Sequence, residues 1–413
     1  VTFTITPGYT NAGVTCTGTP ITATVVVNPI PTVNAVASQV VCNGAPTTAV
    51  TFTGAVTNPP GTVYNWTNNT TSIGLAASGT GNIASFTAIN TGTAPVTATI
   101  TVTPSYTNGG VTCTGTPTTF TITVNPTATV IVPANAFVCN GSLQPTGTYN
   151  FSTTATGGVT TYSWTNNNIT IGLGSSGTGN SLPTFTATNT GTAPISGTIT
   201  VTPTFTNGGV SCVGTPNSFS ITVNPTPNAT ATPSSQTICS AATITTIVIT
   251  GTVPGTVFNW TRDNTATATG IAASGTGNIS GSLTNTTNGP VLVTFTITPG
   301  YTNGGTTCFG TPVTATVLVN PLAVVNPVPN QIVCNGDMTA PVNFTSPTTG
   351  GTIVYNWTNN LPSIGLAAAG TGNIAAFTAI NTGTAPVTAT ITVTPSYTNG
   401  GVTCVGTPST FTI

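Results

Sequence analysis

The chain repeats itself. Residues 73–117 and 364–408 are identical except at Ser78/Ala369, Ser85/Ala376 and Thr114/Val405. The four tryptophans Trp66, Trp164, Trp260 and Trp357 follow one another at intervals of 98, 96 and 97 residues. The Asn-Pro pairs that begin at Asn28, Asn125, Asn224 and Asn320 do so at 97, 99 and 96. This spacing predicts the tail of one repeat (1–29), three whole repeats (30–126, 127–225 and 226–321) and a fourth lacking its last residues (322–413). Self-similarity at a fixed interval marks a tandem architecture. A unit of about 97 residues is too long for one solenoid turn and suits one small β-sandwich with its own core.

The pattern inside each unit agrees. In "PVTATITVTP" (95–104), Val96, Ala98, Ile100 and Val102 alternate with Thr97, Thr99, Thr101 and Thr103. In "TTFTITV" (118–124), Phe120, Ile122 and Val124 alternate with threonines. A period of two predicts half-buried strands. "NPPG", "SGTGN", "NTGTAP" and "TNGG" supply turns between them, and no helical period occurs. The Asn-Pro junctions are short and stiffened by proline. The expected fold is all-β: a tandem array of immunoglobulin-like β-sandwiches of about 97 residues forming a rod. Residue 1 opens in mid-strand, since "VTFTITPGYTNAGVTC" matches "VTFTITPGYTNGGTTC" at 293–308. The sequence therefore reads as a stretch of a longer polymer, with targeting signals expected outside it.

Charge decides which functions remain open. Arg262, Asp263 and Asp337 are the only charged side chains among 413 residues, and Lys, Glu and His are absent. Proton transfer and nucleophile activation need bases that this inventory lacks, so no enzyme, catalytic residue or cofactor is expected. One arginine cannot displace the counterions of a nucleic acid. Calcium needs clustered carboxylates, and no Cys-x-x-Cys spacing supports zinc, so no metal is expected. Without lysine, no Lys–Asn isopeptide bond can form. Apolar residues alternate with threonine instead of running for a membrane span, so no membrane insertion of this segment is expected. Surface threonines leave a hydrated face nearly indifferent to salt, as suits an exposed fibre.

One aromatic motif recurs: "VYNWTNN" (63–69), "TYSWTNN" (161–167), "VFNWTRD" (257–263) and "VYNWTNN" (354–360). Tyr64 and Trp66 share a strand face, as do Tyr162 and Trp164, Phe258 and Trp260, and Tyr355 and Trp357. These eight are the predicted structural core, because a buried tryptophan on a central strand anchors immunoglobulin-like sandwiches. The alternative is a sugar-stacking platform, with the following asparagines as amide donors or simply as a turn. "SGTGN" has no lysine and no helix after it, so it reads as a turn and not as a phosphate loop. N-x-[ST] triplets are frequent by chance here, and Thr-x-Thr arrays are as much the default of threonine-rich strands as an ice-binding face.

"VCNG", "YNWTNN", "IGLAASGTGNIASFTA", "TGTAPVTATITVTP", "CTGTP" and "FTITVNP", in this order and at this period, resemble the PKD-like repeats of giant secreted surface proteins in Bacteroidota. Gliding-motility adhesins of SprB type are the best-known members. The resemblance spans the whole sequence, though "TNN" or "TRD" replaces the acidic, glycine-rich continuation of ordinary PKD domains. It implies a β-sandwich fold, export by the type IX secretion system, a cell-surface anchoring machinery, and a surface filament on which a distal region meets a surface polysaccharide. The expected function is the structural stalk of such a filament or adhesin, its partners being neighbouring repeats of the same chain. The rival readings are an array of carbohydrate-binding modules acting by avidity and a self-associating matrix or sheath protein pairing through strand edges.

Secretion makes disulfides the expected state of the cysteines. Each fuller repeat carries two: Cys42 and Cys113, Cys139 and Cys212, Cys239 and Cys308, Cys334 and Cys404, with Cys16 unpaired. The simplest pairing lies within each repeat, each bond contributing up to about 4 kcal/mol by loop entropy. Against it, the "CNG" and "CxGTP" loops of an immunoglobulin topology belong at opposite ends of a domain, beyond disulfide reach. The same geometry allows Cys42–Cys212, Cys139–Cys308 and Cys239–Cys404 across junctions. Free thiols are the third alternative, and the unknown path of the first strand leaves all three open.

Overall fold

Strands form where threonine alternates with apolar residues, because β-branched side chains suit a pleated, half-buried surface. Along Val96–Asn108, Ala98, Ile100 and Val102 are fully buried, while the intervening threonines lie on the opposite face. The computed structural model describes residues 1–55 and 57–413. It comprises two compact units. The first holds Val1–Asn135, Leu143–Phe185 and Gly197–Ile221; the second holds Ala136–Ser142, Thr186–Ser196 and Thr222–Ile413. The architecture is a tandem array of β-sandwiches.

In the first unit, one sheet runs in the order Gln39–Cys42, Thr118–Asn125, Val96–Asn108, Val63–Asn68, Ser78–Thr80. Val111–Thr114 folds back on Val96–Asn108 as a hairpin. Gln39–Cys42 runs parallel to Thr118–Asn125 and sets Cys42 beside Asn125, whereas the other pairings are antiparallel. Bridges Pro46–Thr87 and Val50–Ile83 begin the facing layer. Between the layers, Val50, Phe52, Trp66, Ile73, Ile100, Phe120 and Ile122 form a core. The short 3-10 turn Thr71–Ile73 drops Ile73 into that core. Such a turn is too short to leave a period in the sequence.

The second unit repeats the arrangement. Ser235–Cys239 lies parallel to Val313–Asn320, with Cys239 beside Asn320, and Val291–Asn303, Val257–Arg262 and Ser274–Thr276 follow. Its core includes Ile247, Trp260, Ile279, Leu283, Phe295 and Val317, the Trp260 and Phe295 rings meeting edge-on at 5.7 Å. In a further sheet of this unit, Thr352–Asn359 lies between Ala369–Thr371 and Thr390–Asn399, and Val402–Val405 and Ser409–Thr412 both pair with Thr390–Asn399.

The tryptophans lie inside these layers. Trp66, Trp164, Trp260 and Trp357 are 7, 3, 7 and 7% exposed. Tyr162 is buried; Tyr64, Phe258 and Tyr355 are half-buried against the cores. "SGTGN" does more than turn. Ser78–Thr80 is an edge strand that sets Gly79 opposite Trp66, and the turn starts only at Gly81. A Cβ on Gly79, Gly177, Gly275 or Gly370 would overlap the indole it covers.

Candidate functional site at the repeat junctions

The parallel strand decides where the cysteines go. Cys42, beside Asn125 at the end of its strand, bonds Cys212; likewise Cys139 bonds Cys308 and Cys239 bonds Cys404, all with Cα atoms 5.5 Å apart. The expectation of pairing within each repeat is thereby corrected. Cys42 does not meet Cys113, nor Cys139 Cys212, nor Cys239 Cys308, nor Cys334 Cys404. The "CNG" arm ends level with the Asn-Pro pair at one end of the sheet, and the "CxGTP" strand pairs with the far stretch of the long central strand. Cys16, Cys113 and Cys334 are free thiols. Two of these, Cys113 and Cys334, are further corrections to the expected pairing.

An asparagine clasp accompanies each bond. Asn125 is fully buried. Its Nδ2 donates to Asn207 O at 3.1 Å and Val210 O at 3.4 Å, and its Oδ1 accepts from Asn207 Nδ2 at 3.0 Å. In the second unit, Asn224 and Asn303 form the same reciprocal pair, as do Asn320 and Asn399. Asn28 and Asn108 repeat it in the first unit. These asparagines belong to the "NP" and "TNGG" motifs that read as linker and turn. The recurrence of both amides at one period was the available signal.

The turn itself fits against the arm. Gly208, with φ +58°, lies against Val40; Gly304 lies against Phe137 and Gly400 against Thr237. A second contact recurs beside it. Thr156 N–H donates to Thr93 O at 2.8 Å, and Thr349 N–H to Asn288 O at 2.8 Å. Near the latter, Tyr397 is fully buried and donates to Thr349 O at 3.1 Å, and burial raises its phenol above the ordinary value.

The charged residues have structural work. Arg262 stands where the other motifs have Asn68, Asn166 and Asn359, whose amides hold backbone carbonyls such as Leu75 O, Leu173 O and Leu366 O. The guanidinium does the same for Ile271 O and Ala268 O, at 2.6 and 2.9 Å. Burial lowers its pKa from the ordinary value, and Asp263 opposes that shift. Asp263 Oδ1 accepts Thr294 N–H at 2.7 Å, as Asn69 Oδ1 accepts Thr99 N–H. Each tryptophan Nε1–H is buried without a partner, so none offers a donor to a sugar. No group of three metal-ligating side chains occurs among the described residues.

One segment of the sequence has a counterpart among known families. Residues 236–323 match the family model of a PKD-like domain. None of the curated proteins compared matches the chain. Among solved structures, the chain is similar to extracellular cadherin domains 1–5 of protocadherin gamma B2, at 12% identity over 100% of this chain and 85% of that one, with a TM-score of 0.29. It is also similar to mouse cadherin-23 EC22–24, at 10% identity over 71% and 99%, TM-score 0.33. Three N-terminal domains of the outer capsid protein Hoc of bacteriophage RB49 match at 13% over 71% and 99%, TM-score 0.35. The PKD-like segment contains the core residue Trp260 together with Cys239 and Asn320, which meet Cys404 and Asn399, and Cys308, which bonds Cys139.

Proposed function

We propose that this chain is part of the shaft of an extracellular filament or adhesin, and that its work is mechanical. Its repeats hold a distal binding region away from the cell and carry tension along the array. The observation that carries this reading is the junction: three cystines, each with an asparagine clasp, tie residues of consecutive repeats together. Disulfides of this kind persist in oxidising, extracellular surroundings. A surface almost without charge and a core filled at every tryptophan favour a spacer over an enzyme. Within this reading, the resemblance to gliding-motility adhesins supplies the finer proposal: export by type IX secretion, attachment at the cell surface as a rod-like stalk of domains at 30–126, 127–225, 226–321 and 322–413, and contact with a polysaccharide only at a distal region.

The cystines make the mechanical claim quantitative. The shortest covalent path from Val1 to Ile413 runs to Cys42, across to Cys212, on to Cys239, across to Cys404 and out. It uses about 77 of the roughly 412 residue steps, or about 270 Å of extended chain against about 1,400 Å for the reduced molecule. Single-molecule pulling from the two ends tests this. The oxidised chain should stop lengthening near the shorter limit, and reductant should release the remainder. Equal extension before and after reduction would refute a tension-bearing role for the junctions.

A further inference from the structure

The two asparagines of each clasp differ in one chemical respect. Asn125, Asn224 and Asn320 are each followed by proline, whereas Asn207, Asn303 and Asn399 are each followed by glycine. An asparagine loses its amide spontaneously when the next backbone nitrogen attacks Cγ and closes a succinimide ring. Proline has no N–H to give up, so the fully buried member of each pair is inert by this route. Glycine has no Cβ to shield its nitrogen, so ring closure is least hindered at the turn member. Every clasp thus joins an inert amide to a labile one.

The closed junction holds the labile amide out of reaction. Asn207 ends the strand Ile195–Asn207. Strand backbone, with ψ about +135°, turns Cβ, and Cγ with it, out of line with the next nitrogen. Asn207 Nδ2 is held 3.0 Å from Asn125 Oδ1, and Asn207 O accepts Asn125 Nδ2 at 3.1 Å. Gly208 is fixed at φ +58° against Val40. The same restraints recur at Asn303, gripped by Asn224 and followed by Gly304 against Phe137. They recur again at Asn399, gripped by Asn320 and followed by Gly400 against Thr237. Misplacing reacting atoms by about 1 Å costs about a hundredfold in rate. Asn288, followed by Gly289, has none of this protection: it is exposed and lies outside any strand or clasp.

We propose that Asn207, Asn303 and Asn399 are deamidation sites that a closed junction protects and an opened junction exposes, so that a junction held open loses its clasp for good. The Gly208 nitrogen bonds Asn207 Cγ, the Cγ–Nδ2 bond breaks, and ammonia leaves with the glycine's amide proton. Water then opens the ring at one carbonyl or the other, leaving aspartate or isoaspartate without any redox change. Either product lacks the Nδ2 donor and sets a carboxylate against Asn125 Oδ1, acceptor facing acceptor. Isoaspartate also adds a methylene to the backbone that seats Gly208 against Val40. The inference rests on the shaft reading, in which tension is what opens a junction; each clasp then records that it has been opened.

Ageing the purified oxidised chain in warm neutral buffer, followed by peptide mapping, tests it. In the folded chain Asn288 should convert while Asn207, Asn303 and Asn399 remain amides. In the reduced, denatured chain all four should convert at comparable rates. Asn125→Ala should speed conversion of Asn207 at least about tenfold and leave Asn303 slow, and Asn224→Ala should do the reverse. Asn207→Asp, made directly, should let reductant open Cys42–Cys212 about tenfold faster than in the unaltered chain, as the loss of one buried hydrogen bond implies, with Cys139–Cys308 unchanged. Conversion of Asn207 as fast as Asn288 in the folded chain, equal acceleration of Asn207 and Asn303 in either alanine variant, or unaltered reduction of Cys42–Cys212 in Asn207→Asp would each overturn the proposal. Ageing applies no load, so its failure is distinguishable from failure of the shaft reading, which the pulling experiment decides.

Discussion

Asn125 is fully buried with its amide engaged at both ends, and that makes it a sensitive position. Asn125→Ala strands Asn207 Nδ2 and two carbonyls, which should cost about 1–3 kcal/mol, measurable as a lower melting temperature by calorimetry under non-reducing conditions. Gly79 is sensitive for a different reason. Its hydrogen faces the Trp66 ring, and a methyl there must displace the indole. Gly79→Ala should destabilise by about 1–3 kcal/mol, as overpacking does, while Gly81→Ala should act through backbone strain alone. The burial of Trp66 could be anticipated from its strand parity with Tyr64. The glycine lid could not, because "SGTGN" reads equally well as a loop until register places Gly79 opposite the ring.

At the scale of strands, alternation was a dependable guide. Ala98, Ile100 and Val102 point inward and their threonine neighbours outward along one long strand. What alternation did not reveal was the short arm Gln39–Cys42. Its four residues are all half-buried, so no period distinguishes its faces, and its partner, Thr118–Asn125, is far away in sequence and parallel. That one pairing fixes where Cys42 ends and therefore which cysteine it can reach. The arm is an edge strand held by one neighbour and a disulfide. Hydrogen exchange followed by mass spectrometry should show residues 39–42 and 235–239 losing protection on reduction, while 98–102 and 120–124 keep theirs. Uniform loss across all four segments would mean that the cystines hold the cores and not the arms.

At the scale of the whole molecule, the three cystines interlock. The span of Cys139–Cys308 begins inside that of Cys42–Cys212 and ends inside that of Cys239–Cys404. Every peptide bond between Cys42 and Cys404 is therefore bypassed by at least one disulfide. In network terms the covalent graph has no single-edge cut over that stretch, and a protease that severs the backbone once does not separate the pieces. The sequence supplies its own assay, since Arg262 is its only tryptic site. Trypsin acting on the denatured but unreduced protein should leave one band at full mass, and reductant should resolve it into residues 1–262 and 263–413. A chain wired this way survives wounds that would part an ordinary string of domains.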